Sequence, residues 1–131
     1  MKPVDQTAFG PSKGNCLSAS IASLLELPIE DVPLFYNGDG GDDEGEDQNT
    51  LVNRWLIKRG MMFIQVDVGD VGMADDQFHE MGGPSPREGV YHSVVGKGGK
   101  MVHDPHQSRA GLKAAETWGF IIPHNPALNA P

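Results

Sequence analysis

The clearest hydrophobic pattern in the chain lies between Asn15 and Leu27. Its larger apolar residues recur at the spacing of one helix face and are Leu17, Ile21, Leu24 and Leu25. Pro28 ends this segment, because proline lacks the backbone N–H that a continuing helix needs. The pattern therefore predicts a helix whose first turn contains Cys16. Between Pro28 and Pro33 we expect at most a short turn.

A second helix is predicted from Asn49 to Arg59. Asn49 or Thr50 would cap its start, and Gly60 suits its end. The apolar residues on one face of this helix are Leu51, Trp55 and Leu56. We expect that face to pack on a sheet.

Four further segments have the composition and alternation of β-strands: Met61–Val68, Glu88–Val95, Lys100–His103 and Trp118–Ile122. The residues from Gly96 to Gly99 would join the second and third of these strands as a hairpin. The chain shows no internal repeat and no boundary between domains. We therefore expect a single α+β domain over residues 1–131, with helices packed on an antiparallel sheet.

Two segments lack a pattern that would bury them. The residues from Asn37 to Gln48 are mostly acidic residues and glycines, which offer little apolar surface. We expect a mobile acidic loop at 37–48. The tail at 123–131 is expected to be loosely held.

Composition and charge exclude several classes of function. The formal net charge is −8 and the ten Lys and Arg residues are dispersed, so no basic face is expected to bind nucleic acid. No stretch approaches the roughly 20 consecutive apolar residues of a membrane span, and the amino-terminal residues lack the pattern of a secretory signal. We therefore expect a cytoplasmic protein without a membrane partner.

Cys16 is the only cysteine of the chain, which excludes an intramolecular disulfide and a multi-thiolate zinc site. A cysteine in the first turn of a helix faces unpaired backbone N–H groups and the positive end of the helix dipole, and both favour the thiolate. The backbone N–H of Cys16 could also donate to an oxyanion. The competing interpretation is an inert, buried cysteine.

His92 and Asp104 add the other parts of a nucleophilic site. His92 lies within one predicted strand, and Asp104 directly follows the next strand, so adjacent antiparallel strands can bring the two side chains together. A carboxylate bonded to an imidazole fixes its tautomer and leaves the other nitrogen to accept a thiol proton. Taken alone, His92 could be a core histidine and Asp104 part of an Asp-Pro turn.

Other sites fit the sequence less well. His92, His103, Asp104 and His106 are possible zinc ligands, but neighbouring strand residues such as His103 and Asp104 point to opposite faces. The acidic loop lacks the glycine position of a calcium-binding loop. The Gly96–Gly99 segment is too short for a phosphate-binding loop, and no helix follows it. We therefore expect no metal and no cofactor.

Three blocks of the chain resemble the motifs of papain-like cysteine peptidases: Gln6–Leu25, Tyr91–Val95 and Val102–Pro105. The bacteriocin-processing branch is the most similar in pattern, and small proteins encoded in phage and prophage genomes share it. The resemblance implies a papain-like fold, a catalytic triad of Cys16, His92 and Asp104, and an oxyanion site that includes Gln6. It also implies cleavage of an amide in a peptide, protein or related conjugate through an acyl-enzyme thioester.

Two alternatives stay open at this point. The protein could be a noncatalytic binding protein or inhibitor that retains the fold, or an amidase or acyltransferase that acts on a small molecule. A cleft with Cys16 at its floor would favour an enzyme, whereas a sealed sulfur would favour a binding module.

Overall fold

A computed structural model of the chain describes residues 1–10, 14–35, 47–68, 76–87 and 89–124. It contains two α-helices, a single 3₁₀ turn at Ile29–Asp31 and five strands within these ranges. The helices are α1 (Cys16–Leu25) and α2 (Gln48–Ile57). The strands are β1 (Met61–Asp67), β2 (Phe78–Pro84), β3 (Tyr91–Lys97), β4 (Lys100–His103) and β5 (Thr117–Pro123). None of the described helices is long and apolar enough to cross a membrane.

The strands form one antiparallel sheet with the order β1-β5-β2-β3-β4. The last strand of the chain therefore lies between β1 and β2. β3 and β4 form the predicted hairpin, with Gly98 and Gly99 in its turn. Helices and an antiparallel sheet in one unit confirm the α+β class.

The two faces of the sheet bury different sets of side chains. On one face, α1 packs on β2 and β3 and α2 packs on β1. The core on this face is formed by Leu17, Ile21, Val52, Leu56 and Phe63 with their neighbours. On the other face, the core consists of Met81, Val94, Trp118 and Phe120, with Leu112 and Ala115 packed against it. Full burial of each large apolar side chain contributes about 1.5–3 kcal/mol, so both layers support the sheet.

The predicted helices and strands are confirmed, with their ends shifted by a few residues. The predicted N-cap of α2 is wrong. Helix α2 begins at Gln48, and its N-cap is Asp47 rather than Asn49 or Thr50. The Asp47 carboxylate accepts hydrogen bonds from the Thr50 backbone N–H at 3.0 Å and from the Thr50 hydroxyl at 2.9 Å. Asn49 lies inside the helix and donates instead to Gln65 at 2.9 Å.

Strand β2 was not predicted from the sequence. Its residues, FHEMGGP, include two glycines and a proline and no β-branched residue, so it lacks the usual composition of a strand. It forms between β5 and β3. Backbone pairing with both neighbours stabilises it as a strand, although its own composition does not favour one. This strand carries Glu80.

Several sequence predictions fall partly outside the described residues. The acidic loop at 37–48 does so except for Asp47 and Gln48, which belong to the start of α2. The tail predicted at 123–131 does so beyond His124. Pro123 is the last residue of β5, and the His124 backbone N–H donates to the Gly60 carbonyl at 2.7 Å, so these two residues are held rather than loose.

Gly119 allows β1 and β5 to pack as they do, which gives a test of the fold. A Cβ at this position would overlap the Phe63 ring. We expect Gly119→Ala to lower the free energy of unfolding by about 1–3 kcal/mol, the usual cost of overpacking. Phe63→Leu should remove most of that added cost, so the double variant should lose less stability than the sum of the single variants. Urea denaturation of the four proteins measures this coupling, and strict additivity would contradict it.

Candidate active site

Cys16 is the first residue of α1 and is almost fully buried. The residue before it, Asn15, makes no side-chain hydrogen bond to the helix. Its Oδ1 accepts instead from the backbone N–H groups of Thr7 and Ala8, both at 3.0 Å. The first N–H groups of an α-helix have no partner within the helix, so this end of α1 can face a thiolate or an oxyanion next to Cys16.

Gly14 allows the chain to enter α1 at close range to the amino-terminal segment. Its N–H donates to the Gly10 carbonyl at 3.0 Å, and the Asn15 N–H donates to the Ala8 carbonyl at 3.2 Å. A Cβ on Gly14 would lie 2.7 Å from the Gly10 oxygen. The tight turn that leads to Cys16 therefore requires glycine at this position.

His92 and Asp104 lie together as the hairpin predicts. The His92 Nε2–H donates to Asp104 Oδ1 at 2.7 Å, and both side chains are buried. The other oxygen of Asp104 accepts from the Gly111 N–H at 2.7 Å, and Oδ1 also accepts from the His106 N–H at 2.9 Å. Burial alone raises the pKa of Asp104, but these hydrogen bonds outweigh it and lower the pKa to about 2. Asp104 is therefore a carboxylate at neutral pH.

The imidazole of His92 also interacts with the Cys16 side chain, and the two residues line the same two clefts. Because Nε2 is bonded to Asp104, Nδ1 is the ring nitrogen left for the thiol. Burial lowers the pKa of His92, whereas the hydrogen bond to Asp104 and the interactions with Cys16 raise it, with a net value of about 9. At neutral pH the arrangement therefore favours an imidazolium, which is the natural counter-ion of a thiolate.

Gln6 lies beside this pair. It is buried, its backbone N–H donates to the Pro105 carbonyl at 3.1 Å, and its side-chain amide donates to the Ala8 carbonyl at 2.9 Å. That bond uses one of the two amide hydrogens. The Gln6 Oε1 atom has no hydrogen-bond partner among the described residues. The side chain is therefore held next to Cys16 with hydrogen-bonding capacity left over.

Two clefts meet at the Cys16–His92 pair. One, of about 200 Å³, is lined by Gln6, Gly14, Arg87 and His106 in addition to the pair, and we call it the Gln6 cleft. The other, of about 320 Å³, is lined by Gln48, Phe63, Gln65, Glu80 and Ser93 in addition to the pair, and we call it the Glu80 cleft. A bound molecule could therefore extend to both sides of the sulfur.

Glu80 is the component of this region that sequence reasoning missed. It is buried, and its Oε2 accepts from the Ser93 hydroxyl at 2.6 Å. Burial raises the pKa of Glu80 to about 7, although the Ser93 hydrogen bond and the charge of His92 act in the opposite direction. In the sequence, Glu80 is the one acidic residue of the FHEMGGP segment. Its burial could be predicted only after that segment had been identified as a strand.

The other two histidines of the metal-cluster alternative have separate partners. His103 Nε2 lies 2.9 Å from the Val4 carbonyl oxygen, and His106 Nδ1 lies 2.9 Å from the Ser108 hydroxyl. Within the described ranges, no three or more His, Cys, Asp or Glu side chains are grouped so that they could hold a metal ion.

No family model, curated protein or solved structure matches the chain. The resemblance to papain-like peptidases therefore depends on the sequence blocks around Gln6, Cys16, His92 and Asp104.

The raised pKa of His92 gives a first test of the site. In wild type the imidazole should titrate near pH 9, because both Asp104 and Cys16 favour its protonated form. Cys16→Ala removes one of these partners and should lower the His92 pKa. Ser18→Ala, also on α1 but with its hydroxyl bonded to the Pro33 carbonyl, serves as the control and should leave it unchanged. Imidazole NMR resonances followed against pH measure both effects. A wild-type value at or below about 6.5, the ordinary value for histidine, would contradict the arrangement.

Asp104 gives a second test, through stability in acid. Its folded pKa of about 2 lies below the ordinary aspartate value of 3.8, so its contribution to stability is present above pH 4 and is lost as the pH falls through 2. The shift corresponds to a contribution on the order of 2 kcal/mol. We expect the difference in unfolding free energy between wild type and Asp104→Asn to shrink by this amount between pH 4 and pH 2. Urea denaturation at each pH measures it, and a constant difference would contradict the lowered pKa.

Proposed function

We propose that the protein is a cysteine hydrolase with a papain-like fold that cleaves an amide in a peptide, protein or related conjugate. The observation that carries the proposal is that Cys16 and His92 together line two adjoining clefts while the Asp104 carboxylate holds the His92 ring. This arrangement supplies a nucleophile, a proton carrier and a group that orients the carrier. No cofactor is needed for this chemistry.

In the first step, the Cys16 thiolate attacks the carbonyl carbon, and the carbonyl oxygen becomes an oxyanion. We assign the Cys16 backbone N–H and the second amide hydrogen of Gln6, which the bond to Ala8 leaves free, as the donors that stabilise it. The His92 imidazolium then gives its proton to the leaving amine as the C–N bond breaks, which leaves a thioester on Cys16. In the second step, neutral His92 takes a proton from water, the resulting hydroxide attacks the thioester, and the thiolate and imidazolium are regenerated.

The arrangement of elements supports the papain-like assignment. A cysteine opens a helix that packs on an antiparallel sheet, the histidine lies on a strand of that sheet, and the aspartate directly follows the next strand. These are the placements that the resemblance implies.

The clefts favour an enzyme over a noncatalytic binding protein. Cys16 is buried but lines both clefts, as expected of a nucleophile at the floor of a binding site. A binding protein has no need of an imidazole held between a thiol and a buried carboxylate. No feature of the described residues favours the inhibitor or the small-molecule amidase.

The activation of Cys16 can be measured without a substrate. A thiol with the ordinary pKa of about 8.5 is only roughly 0.3% ionised at pH 6, so an activated cysteine is alkylated much faster there. We expect iodoacetamide to label wild type at pH 6 at least about tenfold faster than His92→Ala. Asp104→Asn should have a smaller effect in the same direction. Labelling is followed by mass spectrometry, with circular dichroism as a folding control.

His103→Gln is the matched control for this experiment, because His103 contacts the Val4 carbonyl rather than Cys16. It should label at the wild-type rate. If folded wild type labels no faster than His92→Ala between pH 5 and 7, His92 does not activate Cys16 and the hydrolase proposal fails.

A further inference from the structure

We propose that the Glu80 cleft binds a positively charged group of the substrate, an ammonium or a guanidinium, with the Glu80 carboxylate as its counter-ion. The enzyme would then prefer amides that lie next to a lysine or arginine side chain. This inference about substrate class builds on the proposed hydrolase function of Cys16.

The first argument is that one oxygen of Glu80 has no partner. Glu80 is 3% exposed, and Ser93 satisfies only its Oε2. The Oε1 atom has no hydrogen-bond partner among the described residues. A buried carboxyl oxygen without a donor costs free energy, and a ligand that brings a donor would remove that cost.

The second argument is the position of Glu80. Its hydrogen-bond partner Ser93 lines the same cleft. Glu80 lines the same cleft as Cys16, so a group that reaches it lies close to the sulfur.

The third argument is the chemistry of the lining. No Lys or Arg occurs among the described residues that line the Glu80 cleft, so the chain provides no cation there for Glu80. Three side-chain amides, those of Gln48, Asn49 and Gln65, offer further acceptor oxygens. The rings of Phe63 and Tyr91 can contact the methylene groups of a long basic side chain and interact with its charge.

The size of the cleft fits one such side chain. Its volume of about 320 Å³ lies at the lower end of the range for ligand pockets, roughly 300–1,000 Å³. The raised pKa of Glu80, about 7, also agrees with a carboxyl group that lacks its partner, because a bound cation would favour the carboxylate.

Charged thiol reagents test this inference at Cys16 without a known substrate. The thiolate displaces sulfinate from a methanethiosulfonate and forms a mixed disulfide. The probes are the cationic 2-aminoethyl reagent and the neutral methyl reagent. We expect the ratio of cationic to neutral rates to be about tenfold higher in wild type than in Glu80→Gln, which keeps the shape and removes the charge. Equal ratios in the two proteins would overturn the inference.

Glu116→Gln is the matched control. Glu116 is an exposed carboxylate nearby that accepts from the Tyr91 hydroxyl at 3.1 Å but does not line the Glu80 cleft. Its removal changes the net charge by the same amount, so it should leave the reagent ratio at the wild-type value. A drop equal to that of Glu80→Gln would indicate a general field rather than a site and would also overturn the inference.

A second measurement needs only wild type, in case Glu80→Gln does not fold. Butylammonium and 1-butanol have similar size and differ in charge. We expect butylammonium to protect Cys16 from iodoacetamide at concentrations where 1-butanol does not. Equal protection by both compounds, or none by either, would count against a cation site.

The outcomes separate this inference from the proposed function. His92-dependent alkylation without any effect of reagent charge leaves the hydrolase in place and removes the cation site. A Glu80-dependent charge effect on a slow, His92-independent thiol supports the cation site and removes the hydrolase.

Discussion

The site depends on the hydrogen bonds that the Asp104 carboxylate accepts. This carboxylate lies between strand β4 and the following loop, where it accepts from the His92 ring and from the backbone N–H groups of His106 and Gly111. These hydrogen bonds hold the loop around the carboxylate and also fix the orientation of the His92 imidazole. Arg109, in the same loop, donates to the Asp104 carbonyl and forms a two-point ion pair with Asp5.

The same loop positions the residues on the other side of Cys16. Asp5 is adjacent to Gln6, and the Gln6 backbone N–H donates to the carbonyl of Pro105. The segment that carries Gln6 is therefore attached to the loop that contains Asp104. Asn15 then connects this segment to the start of α1 through Thr7 and Ala8. Cys16, the His92 imidazole and Gln6 are held by one continuous set of bonds, and a shift of the loop would move all three.

The elements that were predicted correctly are those whose structure is determined by a short stretch of sequence. The periodicity of α1 and the glycine turn between β3 and β4 can be seen in short segments, and they were sufficient to bring His92 to Asp104. Strand β2 could not be found in this way, because its composition does not favour a strand and it is ordered by pairing with both β3 and β5, the latter more than 30 residues further along the chain. The predicted N-cap of α2 was wrong for another reason. Asp47, Asn49 and Thr50 are all good capping residues, and only the folded geometry selects Asp47.

Burial of the Glu80 carboxyl group costs stability, whereas its charge favours the protonated form of His92. An apolar residue in place of Glu80 would avoid the cost of burying a carboxyl group. The charge of His92 lowers the pKa of Glu80, and interactions between charges are mutual, so an ionised Glu80 also favours the imidazolium. A cation bound at Glu80 would offset part of that support. The carboxyl group of Glu80 is therefore coupled to the protonation state of His92.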